Sequence, residues 1–133
     1  MCSGISWMTT NSARAIVAGH GTFAAGLISA VDQITGLGAQ FVGLSNTGFG
    51  AGAIEDQVRA LIAQTGASVV FTDLPAGSCT MAVRRIAKVG PAITLVTGVT
   101  LPTLLAFALG ADAEESLARG KEAMMLFEAP RVP

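Results

Sequence analysis

Short, almost unbroken apolar runs alternate along this chain with longer stretches in which apolar residues recur every three or four positions. Runs of the first kind lie at Ala15–Ala18, Phe41–Leu44, Val69–Thr72 and Ile93–Val96. They do not alternate with polar residues, which is the pattern of strands covered on both faces. The stretches between them carry helical periodicity. Phe23, Leu27, Ala30, Val31 and Ile34 form one stripe of a helix over Phe23–Ile34, with Gly36 and Gly38 as its stop. Ile54, Val58, Leu61 and Ile62 give the inner face of a second helix, Ala53–Gln64, ended by Gly66. Ser78 has the chemistry to N-cap a third helix, which carries Met81, Ala82 and Ile86 inward. Pro102 suits the first turn of a short fourth helix. A last helix runs over Ala113–Met125, with Glu114 and Glu115 near its positive end. Strand–helix alternation of this kind predicts an α/β fold: one three-layer domain, a mostly parallel central sheet and helices on both faces.

One segment raises the question of a membrane. No charged residue occurs from Val89 to Ala111, and the apolar stretch Ala92–Leu109 approaches spanning length. Gly98 and Pro102 interrupt it, and threonines recur at positions 94, 97, 100 and 103. A buried strand, a turn and a short helix fit that pattern, so no direct membrane insertion is expected.

Composition sharpens the picture. The 133 residues suit one domain with a substantial core. Charged residues make up 13% of the chain, about half the usual globular share. So few charges cover a monomer sparsely, and a subunit interface is the simplest reason. Eight basic residues against nine acidic ones, with 5% aromatics and no basic stripe, exclude the profile of a nucleic-acid binder. Cys2 and Cys79 form neither a disulfide framework nor a metal-ligand spacing, and are expected as reduced thiols in a cytoplasmic protein. Residues 1–13 read as a loose leader with Met8 as an alternative start. No apolar stretch precedes Cys2, so a lipoprotein signal is not expected.

The chemistry gathers at strand ends. The first apolar run stops at Gly19-His20-Gly21, and His20 is the chain's one histidine. Open α/β sheets bind their ligands at the carboxyl ends of strands, and flanking glycines leave an imidazole there unshielded. The third run ends at Asp73, and parallel topology brings such ends to one edge. A carboxylate holding one ring nitrogen fixes the tautomer and leaves the other lone pair free to attack. Gly77 and Ser78 open the next helix, whose N-terminal amides favour an anion. Each residue has a plainer alternative: His20 as a structural or capping residue, Asp73 as a turn residue before Pro75, Ser78 as a simple cap. Jointly they describe a site for transient phosphorylation of a histidine. A Walker-type phosphate loop, a Gly-x-Ser-x-Gly elbow and His or Cys partners for a metal are all missing from the sequence.

At these residues the chain resembles the enzyme IIA domain of the mannose family of the phosphoenolpyruvate-dependent sugar phosphotransferase system (PTS). Ala18-Gly19-His20-Gly21-Thr22-Phe23-Ala24-Ala25-Gly26-Leu27 is similar to the family's phosphohistidine segment. Phe71-Thr72-Asp73-Leu74-Pro75-Ala76-Gly77-Ser78 is similar to its Asp-x-x-Gly-Gly-Ser loop. The strand, turn and helix over Val96–Leu105 are similar to the segment that ends in Asn-hydrophobic-Pro. The likeness runs in order from Arg14 to Phe127, within a domain taken as residues 14–133. It implies a phosphotransferase component in which His20 accepts a phosphoryl group from the phosphocarrier HPr and passes it to a IIB component. It implies that Asp73 orients His20, that Gly77 and Ser78 hold the phosphoryl group, and that no cofactor takes part. It also implies a homodimer and four parallel strands plus one antiparallel C-terminal edge strand, for which Phe127–Val132 is the candidate. Ala76 stands where the family usually has Gly, Cys79 where Pro is common, and Thr100 where Asn precedes the turn. Those departures bear on which partners are recognised. A regulatory module that senses PTS phosphorylation without transporting sugar is the alternative, and a flavodoxin-like small-molecule binder is a third reading.

Overall fold

The computed structural model describes residues 13–132. Its strands are β1 (Ala15–Gly19), β2 (Phe41–Ser45), β3 (Val69–Thr72) and β4 (Thr94–Val96). Its helices are α1 (Phe23–Thr35), α2 (Ala51–Thr65), α3 (Ser78–Val89), α4 (Leu101–Ala108) and α5 (Ala113–Glu122), with a 3₁₀ turn at Gly38–Gln40. The sheet is parallel throughout, in the order β2-β1-β3-β4.

Burial on both faces explains why the strands read as continuous apolar runs. All five β1 residues are buried. Ala15 and Val17 join one core with Val31, Phe41, Phe71, Leu104 and Phe107, beneath α1 and α4. Ile16 and Ala18 join the other, with Ile54, Val58, Val70, Val83 and Ile86, beneath α2 and α3. Alternate residues of a strand thus feed opposite layers. Each fully buried Ile, Val or Phe contributes roughly 1.5–3 kcal/mol.

Two inward stripes shift from the pattern read in the sequence. In α1 the buried positions are Ala24 and Val31, and Ile34 is exposed. In α3 they are Cys79, Thr80, Ala82, Val83 and Ile86, and Met81 faces outward. Gly36 and Gly66 end α1 and α2 in the left-handed conformation, as glycine after a last helical turn does.

The apolar stretch Ala92–Leu109 resolves into β4, a turn at Gly98 and α4 with Pro102 in its first turn. No helix among the described residues is long and apolar enough to cross a membrane. Asp112 caps α5, its side chain accepting from the Glu115 amide at 2.8 Å.

Phe127–Val132 forms no strand, contrary to the expected antiparallel edge. Helix α5 ends at Glu122, short of the expected Met125. The residues that follow are exposed and make no backbone hydrogen bonds to the sheet. A strand exists only through a neighbour's N–H and C=O groups, and Pro130 removes one donor from this segment. Of the leader taken as residues 1–13, residues 1–12 lie outside the described chain, and Ala13 is buried.

Candidate functional site

β1 lies between β2 and β3, so the crossover from β1 to β2 runs one way across the sheet and the crossover from β2 to β3 runs back the other way. The crevice beyond the carboxyl ends of the strands at such a reversal is where open α/β sheets bind ligands. The register pairs Ala18 of β1 with Thr72 of β3, which sets the residues just beyond them, His20 and Asp73, side by side.

The two side chains are joined directly. His20 Nδ1 lies 2.7 Å from Asp73 Oδ2, and the His20 backbone amide donates to the same oxygen at 2.9 Å. An ionised carboxylate only accepts, so Nδ1 carries the proton and Nε2 keeps its lone pair. Among the described residues, Nε2 has no hydrogen-bond partner. The imidazole side chain is 53% exposed, whereas that of Asp73 is 11% exposed. A half-sunken carboxylate therefore holds a ring that faces solvent.

The Asp73 environment pulls in two directions. Burial pushes its carboxyl up; hydrogen bonds from the His20 ring and backbone amide outweigh that and hold it below the usual carboxylate range. Its other oxygen, Oδ1, is buried and has no hydrogen-bond partner among the described residues. Around the carboxylate the chain is pinned. Thr72 and Thr80, both fully buried, lie 2.6 Å apart through their hydroxyls. The Thr80 hydroxyl also bonds the Leu74 carbonyl, and the Val99 amide donates to the Thr72 carbonyl at 3.0 Å. This fixes the turn that carries Asp73.

Close approach requires glycine at position 19. A Cβ on Gly19 would stand 3.0 Å from Asp73 Cγ and Oδ2, and 2.9 Å from Phe23 Cδ2. A Cβ on Gly77 would stand 3.4 Å from His20 Cε1, so the start of α3 lies against the ring. Gly77, not Ser78, occupies the N-cap, and no side chain caps the helix. The expected capping role of Ser78 is thus corrected: Ser78 is the first helical residue. The first intrahelical bond runs from Met81 N to the Gly77 carbonyl, which leaves the amides of Ser78, Cys79 and Thr80 without intrahelical acceptors. Those donors and the helix dipole favour an anion next to His20.

One residue was missed as part of the site. Asn46, absent from the residues the sequence singles out, donates from Nδ2 to Ser78 Oγ at 3.0 Å. The signal available was its position immediately after β2, the same strand-end logic that picked out His20. Cys79 is buried against the core, and its thiol is pushed up by burial and by the nearby Asp73 charge. It is protonated and unreactive at neutral pH.

The fold and sequence have clear relatives. The family model for EIIA-man, described as the PTS system fructose IIA component, matches residues 14–125. The mannose/sorbose-specific IIA subunit of the phosphotransferase system from Enterococcus faecalis superposes with a TM-score of 0.73 at 17% identity, covering 92% of this chain and 99% of that one. The phosphotransferase system component EIIA from Streptococcus agalactiae gives 0.76 at 18% identity, covering 84% and 95%. The PTS IIA protein associated with the fucose utilization operon of Streptococcus pneumoniae gives 0.71 at 21% identity, covering 86% and 93%. Among curated proteins, none matches the chain in sequence.

Proposed function

We propose a function from one premise: the chain belongs to the EIIA-man family of PTS IIA components. In this reading it is a phosphohistidine carrier. His20 takes a phosphoryl group from phosphorylated HPr and gives it to a IIB component. The observation that carries the proposal is the 2.7 Å bond between His20 Nδ1 and Asp73 Oδ2 beneath an exposed ring.

The lone pair of His20 Nε2 forms the new P–N bond while the donor's P–N bond breaks, and the donor nitrogen keeps that electron pair. The Nδ1 proton stays in its bond to Asp73. The ring becomes positive as Nε2 is phosphorylated, and the Asp73 carboxylate stabilises that charge. The free amides at the start of α3, with Gly77 and Ser78, are placed to receive the phosphoryl oxygens. Catalysis is then positioning and charge stabilisation, as in phosphoryl transfer generally. The return step to IIB reverses each bond change.

We further infer a cytoplasmic homodimer. Supporting it, Met124-Met125-Leu126-Phe127 are consecutive exposed apolar residues at the end of the described chain. Among the described residues, β4 is an outer strand of three residues with one edge unpaired. A second copy's tail laid along β4 would cover both.

The test is phosphorylation by phosphoenolpyruvate, enzyme I and HPr, with the modified residue located by mass spectrometry. An acid-labile phosphate on His20 that His20→Ala abolishes is the expected result. A label that persists in His20→Ala overturns the assignment. Onward transfer to a IIB component supports transport; a stable phosphoprotein that no IIB component discharges supports the regulatory alternative.

A further inference from the structure

The hydroxyl of Ser78 has an unusual neighbour. Asn46 Nδ2 donates to it at 3.0 Å, across thirty-two positions of sequence. Asn46 is itself held at both backbone atoms. Its amide donates to the Gly19 carbonyl at 3.0 Å, and its carbonyl accepts from the Phe49 amide at 3.1 Å. The side chain that reaches Ser78 is therefore anchored to the residue directly before His20.

A serine hydroxyl has one proton and two acceptor lone pairs. The Asn46 amide can only donate through Nδ2, so it fills a lone pair and leaves the proton free. That proton caps no backbone amide of α3, because Gly77 holds the N-cap; on the helix its one side-chain partner is the Cys79 thiol, a weak acceptor that a phosphoryl oxygen outcompetes. Ser78 follows Gly77, where an added Cβ would stand 3.4 Å from His20 Cε1. The hydroxyl thus belongs to the residue next to the one that borders the ring, with one lone pair filled by Asn46 and its proton able to turn.

We propose that Asn46 is a positioning residue that acts through Ser78, turning the Ser78 proton toward the phosphoryl oxygens on His20. The inference rests on the phosphohistidine reading. It assigns a function to the β2–α2 loop, which contributes no other named group to the site. A simple tether between loop and helix would need the same bond but would have no effect on the chemistry once the fold is intact.

The experiment is single-turnover transfer from phosphorylated HPr, with the lifetime of the phosphohistidine measured in the same samples. Asn46→Ala should lower kcat about fivefold, the size of one neutral hydrogen bond, with KM for phosphorylated HPr unchanged. Ser78→Ala should do the same, and Asn46→Ala/Ser78→Ala should be no worse than Ser78→Ala alone. Asn46→Asp keeps the shape but only accepts; it draws the Ser78 proton to itself and should be slower than Asn46→Ala at an unchanged melting temperature. That variant decides the matter if Asn46→Ala fails to fold. Additive losses in the double variant, or a wild-type kcat in Asn46→Asp, overturn the inference while the phosphohistidine reading stands. A wild-type protein that takes no phosphate from HPr overturns both.

Discussion

Asp73 Oδ2 accepts two hydrogen bonds from a single residue, the His20 ring at 2.7 Å and the His20 backbone amide at 2.9 Å. The second bond fixes the main chain at the start of the loop, and the first fixes the ring upon it. One oxygen therefore sets the position, the rotamer and the tautomer of the imidazole together.

Asp73→Asn is the sharpest probe of that arrangement. The amide oxygen can still accept from the backbone N–H, so the loop keeps its course. The charge that stabilises a phosphorylated ring is gone, and charge-assisted bonds are roughly twice as strong as neutral ones. Transfer from phosphorylated HPr should fall at least about tenfold with the circular dichroism spectrum unchanged. Wild-type rates in this variant would remove Asp73 from the mechanism.

The same carboxylate gives the fold a pH dependence. Asp73 is held below the usual carboxylate range, the His20 bonds outweighing the upward push of burial. A carboxyl depressed in the folded state contributes stability that is fully present above its unfolded pKa of about 3.9, and lost as pH falls through the folded value. The melting temperature of the wild type should therefore drop more steeply below about pH 4 than that of Asp73→Asn. Glu55, also held low by the side-chain bonds from Arg85 and Arg59, is common to both proteins and cancels in the comparison. Parallel melting curves would contradict the depressed Asp73.

Gly19→Ala places a methyl group 3.0 Å from the Asp73 carboxylate and 2.9 Å from the Phe23 ring. Neither contact is tolerable without movement, and the carboxylate is the group whose position matters. The variant should lose most transfer activity and about 1–3 kcal/mol of stability, the usual range for overpacking. Denaturant melts and single-turnover assays together check it. Full activity would mean that the His20–Asp73 pair tolerates displacement.

Gly120→Ala tests packing far from the chemistry. Gly120 is buried in α5, and an added Cβ would sit 1.9 Å from Thr103 Oγ1 on α4. Alanine is favoured over glycine within a helix by about 1 kcal/mol, yet the clash should win and the variant should melt lower than wild type. Gly120→Ala/Thr103→Ala, which removes the hydroxyl, should recover part of the loss. A rise in melting temperature for Gly120→Ala alone would show that the two helices can move apart freely.

Removing residues 124–133 strips away the exposed Met124–Phe127 run. If that run covers a second copy, sedimentation should show a dimer for the full chain and a monomer for the truncated one. An unchanged dimer would place the interface elsewhere, and a monomeric full chain would remove it.

The elements were legible because each is locally consistent. Val69–Thr72 is bounded in the structure as its β-branched run implies, and Gly36 and Gly66 close their helices as expected. Asp112 could have been recognised as the cap of α5 from the Glu three residues later. Periodicity was less informative about which flank of a helix packs most closely. Ile34 and Met81 fall on plausible inner stripes, yet both are exposed, while Ala24 and Cys79 lie inward beside Val31, Val83 and Ile86. Family resemblance makes Phe127–Val132 the candidate edge strand, but strand pairing depends on a neighbour that local pattern cannot supply.

The sequence by itself determined the alternating strands and helices, and placed His20, Asp73 and Ser78 at the ends or starts of those elements. These are local matters, set by hydrophobic period, turn chemistry and residue type. Only the tertiary structure decided that β1 and β3 are neighbours, that one oxygen of Asp73 grips both the ring and the backbone of His20, and that Asn46 reaches Ser78. Such contacts join residues more than thirty positions apart. They arise from the order in which strands pack, a property of the whole core that no short stretch of chain encodes.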